Sequence, residues 1–257
     1  MANTDDHRFA RDLAEEAGRL LLDLRAELVA AGASPSELKA EGDRRSHELI
    51  MRRLHEERPD DAVLSEEGKG EEGRRGTDRL EAQRVWVIDP LDGTREYSEH
   101  PRVDWAVHVA LVEAGVPTVG AVALPAQGRT LSTLDPWPLP AAPAGPPRVI
   151  VSRSRPPAVA TFLASSIGGV LVEMGSAGAK ASAVVLGDAD VYPHSGGQYE
   201  WDSCAPVAVA AAAGLWTSRI DGSPLVYNNP DPYLPDVLVC HPAIHDQVRE
   251  ALAAFSR

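Results

Sequence analysis

Two aspartates, Asp89 and Asp92, stand three residues apart at the end of an apolar run, in the segment RVWVIDPLDGTREY. The run is predicted to form a strand, and the following pair, Gly93 and Thr94, offers backbone amide donors at the start of a helix. Proteins hold magnesium with a few carboxylates together with substrate phosphate oxygens and water. The segment therefore indicates a site that combines divalent cations with a phosphate group.

Other acidic residues also lie at the ends of predicted elements. Glu66 and Glu67 follow the strand AVLS, and Asp202 begins the most apolar helix of the chain, in WDSCAP. Taken singly, these motifs have structural explanations, since Asp202 or Asp89 is also a suitable helix cap and DG is a common tight turn. Taken together, acidic residues at three such ends favour a site in which carboxylates hold more than one metal ion.

The composition is that of a globular protein with an acidic excess. Of 257 residues, 38 are acidic and 25 are basic, the formal net charge is -13, and no block rich in lysine or arginine is present. Nucleic acid binding depends on neutralising phosphates with cations, so a nucleic acid polymer is not expected as a partner. A phosphorylated ligand would need metal ions to reverse the local sign of charge.

Neither a membrane segment nor a disulfide framework is predicted. No run of about eighteen apolar residues could span a bilayer, and the start MANTDDHRFARDLAEEAG lacks the basic and apolar order of a signal peptide. We therefore expect no membrane partner and a cytoplasmic location. Cys204 and Cys240 have neither metal-motif spacing nor the density of a disulfide scaffold, which predicts two core thiols.

The N-terminal region is predicted to contain helices and then strands. Apolar residues recur at steps of three and four from Phe9 to Leu28, which predicts an amphipathic helix ending near AAGASP. A second helix is predicted to follow Asp43 and to stop before Pro59. The strand AVLS then leads into a charged loop, EEGKGEEG at 66–73, and WAVHVALV and TVGAVAL read as an antiparallel hairpin.

A stretch rich in proline and alanine, 136–147, is predicted to link two parts of the chain. It separates an N-terminal α+β half, 1–135, from a C-terminal α/β half, 148–257. In the second half RVIVS, VLVEM and ADVYP read as strands, and PAVATFLASSI, GAKASAVVLG and APVAVAAAAG read as helices. Interleaved strands and helices with hairpins favour an α+β or layered α/β fold over a purely parallel sheet.

Four motifs in this order, LSEEG, VIDPLDGTREY, GSAGAK and YEWDSCAP, resemble those of the inositol monophosphatase-like family of magnesium-dependent, lithium-sensitive phosphatases. The resemblance extends over nearly the whole chain, from the predicted Asp43 helix to the C-terminal strand. It implies a layered αβαβα sandwich, two or three magnesium ions, a small phosphorylated substrate and a homodimer.

The resemblance also implies roles for individual residues. The implied metal ligands are the carboxylates of Glu66, Asp89, Asp92 and Asp202 and the backbone carbonyl of Leu91. The implied substrate-binding groups are the amides of Gly93 and Thr94, the turn residues Gly175, Ser176 and Lys180, and Arg153. GSAGAK differs from a phosphate-binding P-loop, because Ala179 precedes its lysine and no serine or threonine follows it.

The resemblance assigns Asp43, together with Thr94, to orienting the attacking water. The sequence departs from the family pattern here, because it reads LKAEGD where many relatives read VTxAD. Glu41 is therefore an alternative for this role. A structural interpretation of Asp43, as the N-cap of the second helix, is also open.

The substrate is predicted from the residues that follow the second aspartate. Inositol phosphatases of the family usually continue as DGTTNF, whereas the CysQ-type branch, which acts on 3′-phosphoadenosine 5′-phosphate, continues as DGTKEF; this chain has DGTREY. Arg153 and Lys180 are candidates to hold the two phosphates, and Arg95 is expected either there or in an ion pair. The 5′-phosphosulfate analogue, inositol phosphates and fructose 1,6-bisphosphate stay open as substrates. A non-catalytic regulator that binds an anionic ligand is the alternative from another class.

Overall fold

The computed structural model describes residues 1–68 and 77–255, so the predicted charged loop lies outside the described residues from position 69 onward. The α-helices are α1 (Thr4–Ala30), α2 (Pro35–Glu57), α3 (Thr94–Ser98), α4 (Ala158–Ile167), α5 (Ala177–Val185), α6 (Glu200–Ala212) and α7 (His245–Phe255). The strands are β1 (Ala62–Ser65), β2 (Arg84–Asp92), β3 (Ala106–Glu113), β4 (Val116–Leu124), β5 (Arg129–Ser132), β6 (Arg148–Ser152), β7 (Val170–Met174), β8 (Val191–Tyr199), β9 (Trp216–Ser218) and β10 (Tyr233–Cys240).

The strands form two mixed sheets. The first has the order β1-β2-β3-β4-β5, with β1 parallel to β2 and the remaining pairs antiparallel. The second has the order β7-β6-β8-β10-β9, with β6 parallel to β7 and β8. The predicted hairpin is confirmed as β3 and β4, and its turn is made by Ala114 and Gly115, which both have positive φ.

The helices and sheets stack in five layers, and three hydrophobic cores lie between these layers. Helices α1 and α2 pack on one face of the first sheet, around Leu13, Ile50 and Trp86. Helices α5 and α6 lie between the two sheets, and α4 and α7 cover the outer face of the second sheet. This arrangement is the αβαβα sandwich that the sequence predicts.

The layering explains why some elements are apolar on all sides. Strand β2 is covered on both faces, so Val85 and Val87 face the central layer while Trp86 and Ile88 face α1 and α2. Helix α6 is enclosed by both sheets, as its nearly continuous apolar sequence indicates. Gly120 of β4 lets this helix come close, because a Cβ there would lie 2.6 Å from Ala208 Cβ.

Helix α2 begins nine residues earlier than predicted. Its N-cap is Ser34, which forms a capping box with Glu37, and Pro35 occupies the first turn. Asp43 therefore lies inside the helix, and the N-cap interpretation of Asp43 is wrong. Asp89 lies within strand β2, so it does not cap a helix either.

The predicted linker region contains no helix or strand from 133 to 147. The two sheets fall on either side of it, but the central core draws residues from both halves, including Val87 and Ala205. Cys204 and Cys240 are buried free thiols, as predicted. Within the described ranges, every helix is too short or too polar to cross a bilayer.

Candidate active site

A β-bulge brings Asp89 and Asp92 to the same side of the first sheet. Residues three apart in a regular strand point to opposite faces. Here Asp89 pairs with His108 and Asp92 pairs with Ala106, so β2 contains one more residue than β3 between these two pairs. The extra residue turns Asp92 to the same face of the sheet as Asp89, and bulges next to functional sites commonly redirect a side chain in this way. The DPLD segment thus presents both carboxylates toward one cluster.

The third carboxylate of the cluster comes from the first turn of α6. Oxygen atoms of Asp89, Asp92 and Asp202 all lie within 4.8 Å of one another. The Tyr199 amide donates to Asp202 Oδ2 at 2.6 Å, so the Asp202 carboxylate caps the start of α6 and also faces the cluster. Asp202 thus caps the helix start, and its predicted role as a metal ligand is compatible with this contact.

Burial and mutual repulsion raise the pKa values of these acids. Asp89 is almost fully buried, and burial followed by the charge of Asp92 raises its pKa well above the ordinary value. Burial and then Asp92 raise the pKa of Asp202 to about 6. Glu66, at the end of β1, has its pKa raised to about 7 by burial and by Asp202, Glu67 and other acids. The four predicted carboxylate ligands are thus one electrostatic cluster.

Asp92 differs from its neighbours because several donors surround it. Burial acts to raise its pKa, but His108, the Ser176 hydroxyl and Lys180 lower it to about 2. Ser176 Oγ donates to Asp92 Oδ2, and the amides of Ala177 and Gly178 donate to Oδ1 and Oδ2 at 3.1 and 2.6 Å. Asp92 is therefore held as a carboxylate by the start of α5.

The donor set fits a hard divalent cation. Close, buried carboxylates repel one another, and a bound divalent ion would reduce this cost. All candidate ligand atoms are oxygens, which suits magnesium or calcium better than softer metals. The Leu91 carbonyl, an implied ligand, lies in the same bulge and accepts a hydrogen bond from Thr94 Oγ1 at 3.1 Å.

Close packing of α2 on the DPLD segment places Asp43 beside Thr94. Thr94 Oγ1 lies 3.5 Å from Asp43 Oδ1. Ser46 Oγ donates to the Pro90 carbonyl at 2.6 Å, and a Cβ on Gly42 would lie 2.8 Å from Leu91 Cδ2. Gly42 thus permits the approach that Ser46 fixes, which gives a physical reason for the glycine in LKAEGD.

The surroundings of Asp43 and Glu41 differ. Burial and then the charge of Glu67 raise the pKa of Asp43 to about 7, despite the contact with Thr94. Glu41 lies near the surface, with its carboxylate 2.6 Å from Arg44 and 3.6 Å from Arg45. Asp43 is thus the acid of LKAEGD that contacts Thr94, and Glu41 is engaged by arginines.

The GSAGAK segment forms a turn and the start of α5. The Gly175 amide donates to Asp104 Oδ2 at 2.7 Å, and a Cβ on Gly175 would lie only 2.2 Å from the Glu96 side chain. Ser176 has a φ of 53° and caps α5. Lys180 is buried, and its amine donates to the Ser176 carbonyl at 2.5 Å. The turn residues therefore lie beside Asp92, while the amine of Lys180 supports the turn from within.

The predicted substrate arginines already have acidic partners. Arg153 lies 2.8 Å from Glu96 Oε1 and 3.1 Å from Glu99 Oε2. Arg95 pairs with Glu99 at 3.0 Å, which matches the ion pair considered for it. Glu96 contacts Arg153 and also lies against Gly175, so Arg153 is close to the GSAGAK turn. The role of Arg153 toward a substrate stays a prediction.

Several polar residues around the site escaped sequence reasoning. Glu96 and Asp104 are buried and support Arg153 and the Gly175 amide, respectively. His108 is fully buried in β3, where it reaches Asp92. A single histidine within the apolar run WAVHVALV was a usable signal, because a buried polar group needs partners. The partners themselves are distant in sequence and cannot be read from it.

Comparison with known proteins identifies the family. The inositol monophosphatase family model matches residues 3–136 and 149–254, so the chain belongs to this family. A Mycobacterium bovis protein named 3′-phosphoadenosine 5′-phosphate phosphatase is 49% identical over 246 residues, covering 93% of this chain and 90% of that protein. CysQ of Escherichia coli K12, named a 3′(2′),5′-bisphosphate nucleotidase, is 32% identical over 200 residues, covering 74% of this chain and 79% of that protein.

Solved structures agree with the fold. CysQ from Bacteroides thetaiotaomicron superposes with a TM-score of 0.78 at 27% identity, covering 93% of this chain and 97% of that chain. Inositol monophosphatase II from Staphylococcus aureus gives a TM-score of 0.77 at 20% identity, covering 96% and 95% of the two chains, and shows the shared fold. The family and fold that the four motifs predict are both confirmed.

The raised pKa values predict how magnesium changes stability with pH. An acid whose pKa is higher in the folded protein stabilises the fold below its unfolded pKa, and this contribution is lost as the pH rises through the folded value. For Glu66 and Asp202 the loss extends from about pH 4 to folded pKa values of about 7 and about 6. Magnesium should therefore raise the Tm more at about pH 8 than at about pH 5.

Thermal unfolding with chelator or with magnesium, at each pH, measures this difference. Sodium chloride of equal ionic strength controls for general screening of charge. A magnesium-induced rise in Tm that is the same at both pH values would contradict the proposed repulsion.

Proposed function

We propose that the protein is a magnesium-dependent phosphatase that removes the 3′-phosphate of 3′-phosphoadenosine 5′-phosphate to give AMP. The 5′-phosphosulfate analogue presents the same 3′ group and is a second substrate. Such an activity serves sulfate assimilation and nucleotide recycling. The observation that carries the proposal is the buried carboxylate cluster of Asp89, Asp92 and Asp202, in a chain 49% identical to a protein named for this reaction.

The carboxylates are proposed to hold magnesium together with Glu66 and the Leu91 carbonyl. When bound, magnesium supplies positive charge that stabilises the negative charge developing on the phosphoryl group. Gly93 and Thr94 begin α3, where backbone N–H groups have no earlier helical carbonyl to bind. We assign these amides to the phosphate oxygens.

Asp43 and Thr94 are proposed to position the water that attacks phosphorus. Thr94 Oγ1 lies between Asp43 Oδ1, at 3.5 Å, and the Leu91 carbonyl, at 3.1 Å. Asp43 is half-buried and has its pKa raised to about 7 by burial and by Glu67, which suits a group that accepts a proton near neutral pH. Attack by water on phosphorus requires no nucleophilic side chain, and Cys204 is buried within the core.

Further substrate contacts are proposed for the GSAGAK turn, which lies beside Asp92, and for Arg153. Ser176 and Gly175 shape the turn beside Asp92, and Lys180 fixes that turn from beneath. Arg153 would have to exchange part of its pairing with Glu96 and Glu99 for a substrate phosphate. The cytoplasmic location, the homodimer and the number of magnesium ions stay predictions.

A substrate panel tests the proposed specificity. With magnesium, the kcat/KM for 3′-phosphoadenosine 5′-phosphate should exceed those for inositol 1-phosphate and fructose 1,6-bisphosphate. An Asp89→Asn variant purified in the same way controls for contaminating phosphatase. A higher kcat/KM for inositol 1-phosphate would overturn the substrate assignment, and no phosphate release from any of the three would favour the anion-binding regulator.

The Asp43→Asn variant tests the role in positioning water. Asparagine keeps the shape of the side chain but removes the charge that draws a proton, so kcat should fall by about a hundredfold or more while KM changes little. Glu41→Gln is the matched control on the same helix and should keep kcat near that of the wild type. Steady-state kinetics and Tm are measured for both. Near-normal kcat for Asp43→Asn, or an equal loss for Glu41→Gln, would refute the assignment.

A further inference from the structure

His108 is a buried histidine placed between two parts of the carboxylate cluster. It is fully buried in β3, at the position that pairs with Asp89 across the sheet. Its Nε2 atom lies 3.3 Å from Asp92 Oδ2, and its Nδ1 atom lies 3.0 Å from the Trp201 carbonyl oxygen. Trp201 immediately precedes Asp202, so one imidazole ring contacts both sides of the proposed metal site.

The neighbours of the two ring nitrogens determine which nitrogen carries a hydrogen. A carbonyl oxygen can only accept a hydrogen bond, so Nδ1 carries a hydrogen toward Trp201. Within residues 1–68 and 77–255, Nε2 makes no hydrogen bond, and it lies 3.3 Å from the carboxylate oxygen Asp92 Oδ2. Because Nδ1 carries a hydrogen, Nε2 donates to this carboxylate only when the ring is an imidazolium. Asp92 itself accepts hydrogen bonds from Ser176, Ala177 and Gly178. The Nε2 side of the ring is thus directed at a proposed metal ligand.

Gly178 shows that the fold makes room for this ring. A Cβ on Gly178 would lie 2.0 Å from His108 Nε2, closer than two non-bonded heavy atoms can approach. The Gly178 amide also donates to Asp92 Oδ2 at 2.6 Å. The same glycine therefore supplies a donor to Asp92 and leaves the space through which His108 reaches it.

The donors are distributed unevenly between the two oxygens of Asp92. Oδ2 accepts hydrogen bonds from Ser176 Oγ and the Gly178 amide and has His108 Nε2 3.3 Å away, whereas Oδ1 accepts from the Ala177 amide. Each carboxylate oxygen has about two lone pairs. Oδ2 is thus fully engaged, and Oδ1 retains the capacity to bind a cation.

We propose that His108 is a positioning residue that holds Asp92 and the start of α6 at the separation required for divalent cation binding. The inference rests on the proposed metal role of Asp92 and Asp202. His108 does not touch the phosphate or the reacting water in this account. It acts by orienting one ligand directly and the other through the Trp201 carbonyl, and such outer contacts commonly change metal affinity by about 10- to 100-fold.

Two substitutions separate the two nitrogens. In His108→Asn the side-chain amide lies about where Nδ1 was, so the Trp201 contact is kept and the Asp92 contact is lost. In His108→Gln the amide reaches about where Nε2 was, so a donor toward Asp92 is kept. His241→Asn is the matched control, because His241 is also buried and its Nε2 contacts the Pro140 carbonyl at 3.0 Å.

Isothermal titration with magnesium chloride alone measures the affinity of each full-length variant, and the magnesium dependence of kcat and KM is recorded beside it. We expect His108→Asn to weaken magnesium binding by about tenfold or more, and His108→Gln and His241→Asn to stay close to the wild type. Equal weakening by asparagine and glutamine, or unchanged affinity in His108→Asn, would overturn the proposal.

Thermal unfolding in chelator shows whether each variant is folded. Should His108→Asn fail to fold, Gly178→Ala replaces it, since the added methyl group displaces the ring without removing it; weaker magnesium binding supports the proposal, and unchanged binding overturns it. If the wild type itself binds no magnesium, the proposed function fails. If the wild type binds magnesium and the variants do not differ, only the role of His108 fails.

Discussion

Repulsion among buried carboxylates determines what this site and the packing around it must achieve. Asp89, Asp92 and Asp202 lie within 4.8 Å of one another, and Glu66 adds a further charge nearby. Such a cluster opposes folding unless protons or cations neutralise it. The raised pKa values of three of these acids show that they bind protons readily, and magnesium at the proposed site would neutralise the cluster instead. Stability and activity are therefore linked through the same group of atoms.

The scaffold maintains this unfavourable arrangement by close packing from several directions. The bulge in β2 turns Asp89 and Asp92 to one side, and α6 delivers Asp202 from the central layer. Gly42 allows α2 to approach the bulge, and Gly178 leaves space for the ring of His108. Larger residues at Gly42 and Gly178 would separate the elements that carry the ligands, so these glycines contribute to building the site.

Much of this could be predicted from sequence because the ligands occur in short local motifs. VIDPLDGTREY and YEWDSCAP placed the acids at strand and helix ends, and the order of motifs predicted the family and the sandwich. The start of α2 was missed because Ser34 and Pro35, rather than Asp43, form its N-terminal cap. His108 and the pairing of Arg153 with Glu96 were missed because both depend on contacts between distant segments.

The buried carboxylates are proposed to form a site for divalent cations. The most direct measurement is a crystal structure with manganese in place of magnesium, with anomalous diffraction recorded at the manganese absorption edge. We expect anomalous peaks in contact with oxygens of Asp89, Asp92 and Asp202. An active protein whose crystals contain manganese elsewhere, with no peak among these three carboxylates, would contradict the proposed site.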